Sequence, residues 1–312
     1  MKKRMGLIGA RGYVGGELMR LLGAHSGLEP AVVSSRQLVG QKISEHFEYP
    51  SDTLIRDLGF EDVAELELDA WVLALPNGLA PAWVEAIRQH DKDAVILDLG
   101  ADYRFDSTWT YGFTERFRDQ ISKAKLISNP GCYATAMQVA IWPILEFLDG
   151  PAHAFGVSGY SGAGTTPSDK NNPERLRDNL IPYALTGHIH EREVSTQMGH
   201  SVRFMPHVAE FFRGINITLS APLKDGVEAA DIWAAYERVW GAEPLIQVEK
   251  DRMPEVAQVA GAHHVGVGGV SVKDGHLVVV SVIDNLLKGA ATQAMQNLNL
   301  ALGFDEFNSV KL

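Results

Sequence analysis

Arg4-Met5-Gly6-Leu7-Ile8-Gly9-Ala10-Arg11-Gly12-Tyr13-Val14-Gly15 decides how the first half of the chain folds. Arg4 to Ile8 reads as a strand, and a helical apolar pattern through Leu18, Leu21 and Leu22 follows the glycines. A strand, a glycine turn and a helix in that order form the context a dinucleotide loop requires. Glycines let the backbone approach a pyrophosphate, and the helix N-terminus meets its charge. The spacing is G-x-x-G-x-x-G rather than G-x-G-x-x-G, so placement at the start of the chain carries more weight than the motif. Gly9, Arg11, Gly12, Tyr13, Val14 and Gly15 are the candidate cofactor contacts.

Working outward, a second strand, Pro30 to Val33, ends at Ser34-Ser35-Arg36. A domain that selects NAD usually places Asp or Glu there for the ribose 2′-OH. Two hydroxyls and a guanidinium suit a 2′-phosphate instead, which favours NADP; the plain alternative is a solvated loop arginine. Ala70 to Leu75 is a continuous apolar strand followed by Pro76-Asn77-Gly78, a helix over Ala80 to His90, and a strand over Ala94 to Leu97. This alternation predicts a parallel, doubly wound sheet with ligands at the carboxyl ends of its strands. Pro76, Asn77 and Arg104 lie at such ends. Arg104 reads equally as an anion binder or as the ion-pair partner of Asp98 or Asp102.

The only cysteine stands in Ser128-Asn129-Pro130-Gly131-Cys132-Tyr133-Ala134-Thr135, between a short strand and an apolar helix reaching Leu148, with a kink expected at Pro143. Cys132 falls at the first turn of that helix, where unpaired N–H groups and the helix dipole lower a thiol pKa. A nucleophile and an inert buried cysteine are both open readings. Beyond it, Ser158-Gly159-Tyr160-Ser161-Gly162-Ala163-Gly164 is a loop able to wrap a ligand or simply to connect. His188 and His190 follow on a segment read as extended. They are candidate partners for Cys132, metal ligands, or ordinary core or surface histidines; a metal lacks a third ligand at recognisable spacing. Arg203 to His207 and Gly214 to Ser220 alternate like strands of an antiparallel sheet, Ala229 to Trp240 reads as an amphipathic helix, and two strands flank Lys273 to His276. A last helix carries an apolar stripe of Ala291, Met295, Leu298 and Leu302.

The 312 residues suffice for two domains, and a single cysteine rules out an internal disulfide and fits a reducing cytoplasm. The apolar run behind Met1-Lys2-Lys3-Arg4 is too short for a signal peptide, and no run approaches a membrane span. The net charge of −11, with no basic stripe, argues against a general nucleic-acid binder and fits a soluble enzyme.

Gly9 to Gly15, Ser34-Ser35-Arg36, Asn129 to Thr135, Ser158 to Gly164, Phe204 to His207, Arg213 to Ile215 and Asp284-Asn285-Leu286-Leu287-Lys288-Gly289-Ala290-Ala291 occur in the order found in one family. Across nearly its whole length the chain resembles the N-acetyl-gamma-glutamyl-phosphate reductases, NADPH-dependent enzymes of arginine biosynthesis. The nucleophile and C-terminal motifs carry most of the specificity. The resemblance departs at Thr165, where the family commonly has arginine, at Glu191-Arg192-Glu193, where it usually has Pro and Glu after His-x-His, and at Tyr103, where it has Phe. It implies an α/β Rossmann-type dinucleotide-binding domain over 1–131 and 286–312, with a returning C-terminal helix. An α+β substrate and dimerisation domain with a mainly antiparallel sheet is implied over 132–285. It makes Cys132 the nucleophile, His190 the acid/base and Glu193 its orienter. It adds Ser161, Gly162 and Asn285 as cofactor contacts, and Asn129, Ser158, His188 and Arg104 as substrate or phosphate contacts. It further implies a small acyl-phosphate substrate, a homodimer or homotetramer, and no nucleic-acid or membrane partner. Reductases of aspartyl or aminoadipyl phosphate, a non-catalytic NADP-binding regulator and a thiol hydrolase are the competing readings.

Overall fold

The apolar runs at Met5 to Ile8, Ala70 to Leu73 and Val95 to Asp98 are buried along their whole length, as strands covered on both faces must be. The computed structural model describes residues 2–312. The strands are β1 Lys3–Ile8, β2 Leu28–Ser34, β3 Ala70–Leu73, β4 Val95–Asp98, β5 Thr110–Tyr111 and β6 Leu126–Ser128. They form one sheet in the order β2-β1-β3-β4-β6-β5, every pair parallel. Helices Tyr13–Gly23 and Ala80–His90 are among the crossovers this order demands, and Ile87 packs into a core with Ile8, Val32, Trp71, Leu73 and Ile96. The unit so built runs to Pro130 and resumes over Ala290–Lys311.

The helix Thr292–Ala301 belongs to this unit, and its stripe of Ala291, Met295, Leu298 and Leu302 is buried as the apolar pattern predicts. The rest of its surface is buried too, although it carries Gln293, Gln296, Asn297 and Asn299. The carboxamides find partners within the unit. Gln293 donates to the Gly112 carbonyl at 2.8 Å, Asn297 to Gly112 at 2.9 Å and to the Asn129 side chain at 3.1 Å, and Asn299 to the carbonyls of Glu306 and Asn308. A helix enclosed on all sides can hold polar residues only when they are paired this way.

Gly131–Gly289 form the second unit. Its strands are β7 Ala152–Gly159, β8 Leu180–Pro182, β9 Val202–Ala209, β10 Ile215–Pro222, β11 Ile246–Glu249, β12 Val265–Lys273 and β13 His276–Ile283, in the order β11-β12-β13-β10-β7-β9-β8. The sheet is mixed, with most neighbours antiparallel. One expectation needs correction: β9 runs parallel to β7, while β10 is antiparallel to both its neighbours. The connection from β7 to β9 contains the helix Ile189–Met198, and a crossover of that length returns the chain in the same direction.

Helix Cys132–Ile141 packs on this sheet and is buried at every position after Cys132. It gives way at Ile141 to a 3₁₀ turn over Trp142–Phe147, where Pro143 could not have continued the α-helical hydrogen bonding. The helix Ala229–Trp240 does more than fill space: Tyr236 donates to the Ala140 carbonyl at 2.5 Å and Trp240 to the Val139 carbonyl at 3.0 Å. These bonds satisfy carbonyls that a helix C-terminus otherwise leaves open. Among the described residues, no helix is long and apolar enough to cross a membrane.

Candidate active site

The glycines of the first loop divide their work. Gly9 has φ +83°, and a Cβ there would sit 2.3 Å from the Ala74 carbonyl oxygen. A Cβ at Gly15 would sit 2.1 Å from the Ala10 oxygen, so this glycine lets the helix close on the loop. A Cβ at Gly12 would meet nothing within 4 Å. A tight turn, an open middle position and a close helix contact are the three requirements of a pyrophosphate cradle. The helix starting at Tyr13 has no side-chain cap, which leaves its N-terminal end to serve an anion. The residues fit a dinucleotide.

At the end of β2, Ser34 and Ser35 are buried, and the Ser34 hydroxyl accepts the Leu58 N–H at 3.2 Å. The Arg36 side chain is 91% exposed and only 3.9 Å from Asp57, a surface pair that constrains it little. Asn77 accepts the Ala101 N–H at 3.0 Å, and Asp102 accepts the Gly78 N–H at 2.7 Å, so the loops after β3 and β4 are tied together. Arg104 is buried and donates to the carbonyls of Asn129 at 2.9 Å and Leu99 at 3.0 Å, bracing the ends of β6 and β4. Asp98 is fully buried, and burial pushes its carboxyl up to about 6, with the nearby charge of Asp102 adding to the rise. Asn129 is also buried. Its carboxamide donates to the Ala290 carbonyl at 3.3 Å and accepts from Asn297 at 3.1 Å.

In the second unit, Cys132 occupies the first helical position after Gly131 and is the one partly exposed residue of its helix. The first intrahelical bond, Thr135 N–H to Gly131 O, is 2.9 Å. The amides before Thr135 therefore stand at the positive end of the dipole, which favours a thiolate. Two neighbours fix the turn. Glu193, wholly buried, accepts the Gly131 N–H at 2.9 Å. Gly289 lies so close that a Cβ there would be 2.8 Å from the Cys132 Cβ, so no side chain fits behind the nucleophile. Glu193, expected to orient His190, thus puts one oxygen on the backbone entering the nucleophile.

The histidine segment is helical, which overturns the extended reading: His188 is the N-cap of Ile189–Met198, and its Nδ1 accepts the His190 N–H at 3.1 Å. The cap explains the correction, because it satisfies an amide at the helix start and lets the helix begin at Ile189. The rings cluster around Tyr133, with centroids 5.9 Å away for His190 and 6.3 Å for His188; the two histidines are 4.8 Å apart. Burial pushes His188 down to about 4, the Lys170 charge adds to the drop, and Glu191 opposes it. His188 is therefore neutral near pH 7, with Nδ1 accepting and its proton on Nε2.

His188→Asn should keep the cap, since Asn is among the best N-cap residues, and kcat should stay within a few-fold. The pH behaviour has a definite sign. His188 has a folded pKa below its ordinary 6.5, so its contribution to stability is present above that value and is lost as pH falls toward about 4. Thermal melts of His188→Asn should show a shallower loss of Tm over that window than the wild type.

Two site residues escaped the sequence reading. The Tyr133 hydroxyl donates to the His207 carbonyl at 2.7 Å, and the Tyr183 hydroxyl faces it. Burial pushes Tyr183 up to about 12, and charge on Cys132 adds to the rise. Tyr133 was adjacent to the cysteine in the motif, whereas nothing local marked Tyr183. The glycine loop is held from the C-terminal signature: Asn285 donates to the Ser161 hydroxyl at 2.9 Å and accepts the Gly214 N–H at 2.6 Å. Ser158 donates to the Gly159 carbonyl at 2.8 Å, while Gly162 is exposed. Asp284, fully buried, pairs with Arg213 at 2.6 Å and accepts the N–H groups of Leu286 and Leu287.

Residues 4–124 match the semialdehyde dehydrogenase NAD-binding domain, and residues 132–285 match the semialdehyde dehydrogenase dimerisation domain. An N-acetyl-gamma-glutamyl-phosphate reductase of Stenotrophomonas maltophilia is 53% identical over 309 residues, covering 98% of this chain and 97% of the relative. Among solved structures, aspartate semialdehyde dehydrogenase II of Vibrio cholerae superposes with a TM-score of 0.79 at 17% identity, over 97% of this chain and 99% of that one. The aspartate semialdehyde dehydrogenase of Candida albicans, solved with NADP, gives 0.72 at 16% identity, over 97% and 99%.

Proposed function

The chain belongs to the N-acetyl-gamma-glutamyl-phosphate reductases of the semialdehyde dehydrogenase family, and on that basis we propose that it reduces N-acetyl-gamma-glutamyl phosphate to N-acetylglutamate 5-semialdehyde and phosphate, with NADPH as reductant. The observation that carries the chemistry is Cys132, partly exposed at the start of an otherwise buried helix, next in sequence to Tyr133, whose ring lies 5.9 Å from that of His190.

His190 takes the thiol proton, and the Cys132 sulfur attacks the acyl carbon. The oxyanion faces the amides of the first helical turn, collapses, and expels phosphate to leave a thioester on Cys132. When bound, the reduced nicotinamide supplies the hydride that converts this thioester to a thiohemiacetal anion. The C–S bond then breaks, and the proton held on His190 returns to the departing sulfur as the semialdehyde leaves. Glu193 and Gly289 keep the helix start in place through both collapses. Gly9 to Gly15 would hold the pyrophosphate, and Arg36 the 2′-phosphate.

A homodimer or homotetramer in the cytoplasm is the setting this reading implies; the match to a dimerisation domain supports the oligomer. The test is phosphate-dependent reduction of NADP by N-acetylglutamate semialdehyde. Turnover with aspartate semialdehyde instead would move the substrate, and no turnover with either would leave only cofactor binding. In the same assay Arg36→Ala should raise the KM for NADP by roughly 10-fold or more and change that for NAD little, because a charge-assisted contact to the 2′-phosphate is removed. Equal losses with both cofactors would take that role from Arg36.

A further inference from the structure

One cation near the thiol site has no part in the chemistry above. The Lys170 ammonium lies over the Tyr183 ring, 4.8 Å from its centroid, and is half-buried. No carboxylate stands within ion-pair distance of it among the described residues; the adjacent Asp169 pairs instead with Arg175. Its loop is internally braced. Asn171 donates to the carbonyls of Gly164 at 2.9 Å and Thr166 at 2.8 Å, and accepts the Ser168 N–H at 2.7 Å. Lys170 therefore projects from a shaped support.

Its position relative to the reacting end follows from the rings. Lys170 sits on Tyr183, Tyr183 is 5.8 Å from His188, and His188 is 4.8 Å from His190. The cation is two rings out from the acid/base, close enough that its charge depresses His188. The substrate class named above carries two anionic ends. The phosphate is attached to the carbon that Cys132 attacks. The α-carboxylate lies four carbon–carbon bonds of about 1.5 Å further along the chain. A cation two rings from His190 is matched to the second.

We propose that Lys170, seated on Tyr183, binds the α-carboxylate of the substrate and so selects a free amino-acid carboxylate at the end opposite the acyl phosphate. This rests on the acyl-phosphate reductase reading and deepens it. An ammonium on an aromatic face is held there by the ring quadrupole and has three donors to share, and a charge-assisted bond to carboxylate is worth more than a neutral one.

The experiment compares wild type, Lys170→Gln and Lys170→Arg in the phosphate-dependent direction. The substrates are N-acetylglutamate semialdehyde and the same aldehyde with its α-carboxylate converted to carboxamide. Lys170→Gln should raise the KM for the semialdehyde roughly 10- to 100-fold, with kcat and the KM values for NADP and phosphate within about twofold; Lys170→Arg should recover most of the loss. Wild type should lose a similar factor on the carboxamide, and Lys170→Gln should lose little more, so that the two changes are not additive. An active wild type with additive losses, an unchanged semialdehyde KM, or a raised phosphate KM would overturn the assignment while sparing the proposed reaction. A wild type inactive on the semialdehyde would overturn both.

Discussion

Cys132→Ser should fold, bind NADPH with near-normal affinity and lose turnover by roughly 10³-fold or more, the scale seen when a covalent nucleophile is removed. The substitution is nearly isosteric, and the space behind Cys132 is already limited by Gly289, so serine keeps the shape of the turn. What it removes is the anion. A thiol at the first helical position gains from the dipole and approaches ionisation near neutral pH, whereas a serine hydroxyl does not. The dinucleotide loop belongs to the other unit and contains none of the altered atoms. Cofactor titration by fluorescence, thermal melts and rapid-mixing kinetics in the phosphate-releasing direction would separate these effects. Activity above a few per cent of wild type would rule out the thioester.

Local pattern carried the features that need only local physics. The glycine loop, the apolar runs of β3 and β4, the start of a helix at Cys132 and the break near Pro143 each follow from residues a few positions apart. What stayed hidden depends on partners far along the chain. Asn297 looks like an exposed helix position until Gly112 and Asn129, 185 and 168 residues away, take up its amide. Nothing near Arg104 in sequence announces that the Asn129 carbonyl will accept from it. The resemblance gives Glu193 a role at His190, and nothing local announces that one of its buried oxygens also meets Gly131, 62 residues earlier. His188 was misread for a different reason. A histidine nitrogen can cap a helix as an Asn carboxamide does, but residue-type preferences for N-caps give little weight to histidine, so the segment passed as extended.

The same cap separates the two histidines functionally. His188 uses Nδ1 to accept the His190 N–H and is held neutral by burial, so protonating it at Nδ1 would cost the helix its cap bond. His190 lies in the first turn with its ring beside Tyr133, and on the proposed mechanism it is the ring that moves a proton to and from sulfur. His190→Asn should therefore lower kcat by roughly 10²- to 10⁴-fold, the usual weight of a general acid/base, while Tm and the KM for the dinucleotide change little. In the wild type, kcat/KM should rise with pH along an acidic limb as the thiol–imidazole pair reaches its reactive form, with apparent pKa values that belong to the pair. His190→Asn should lose the imidazole's share of that limb and retain a profile set by the thiol alone. His188→Asn should keep the wild-type limb. Steady-state pH profiles of both variants decide the matter: a near-normal His190→Asn beside an inactive His188→Asn would hand the proton to His188 and make the cap, rather than the first turn, the catalytic position.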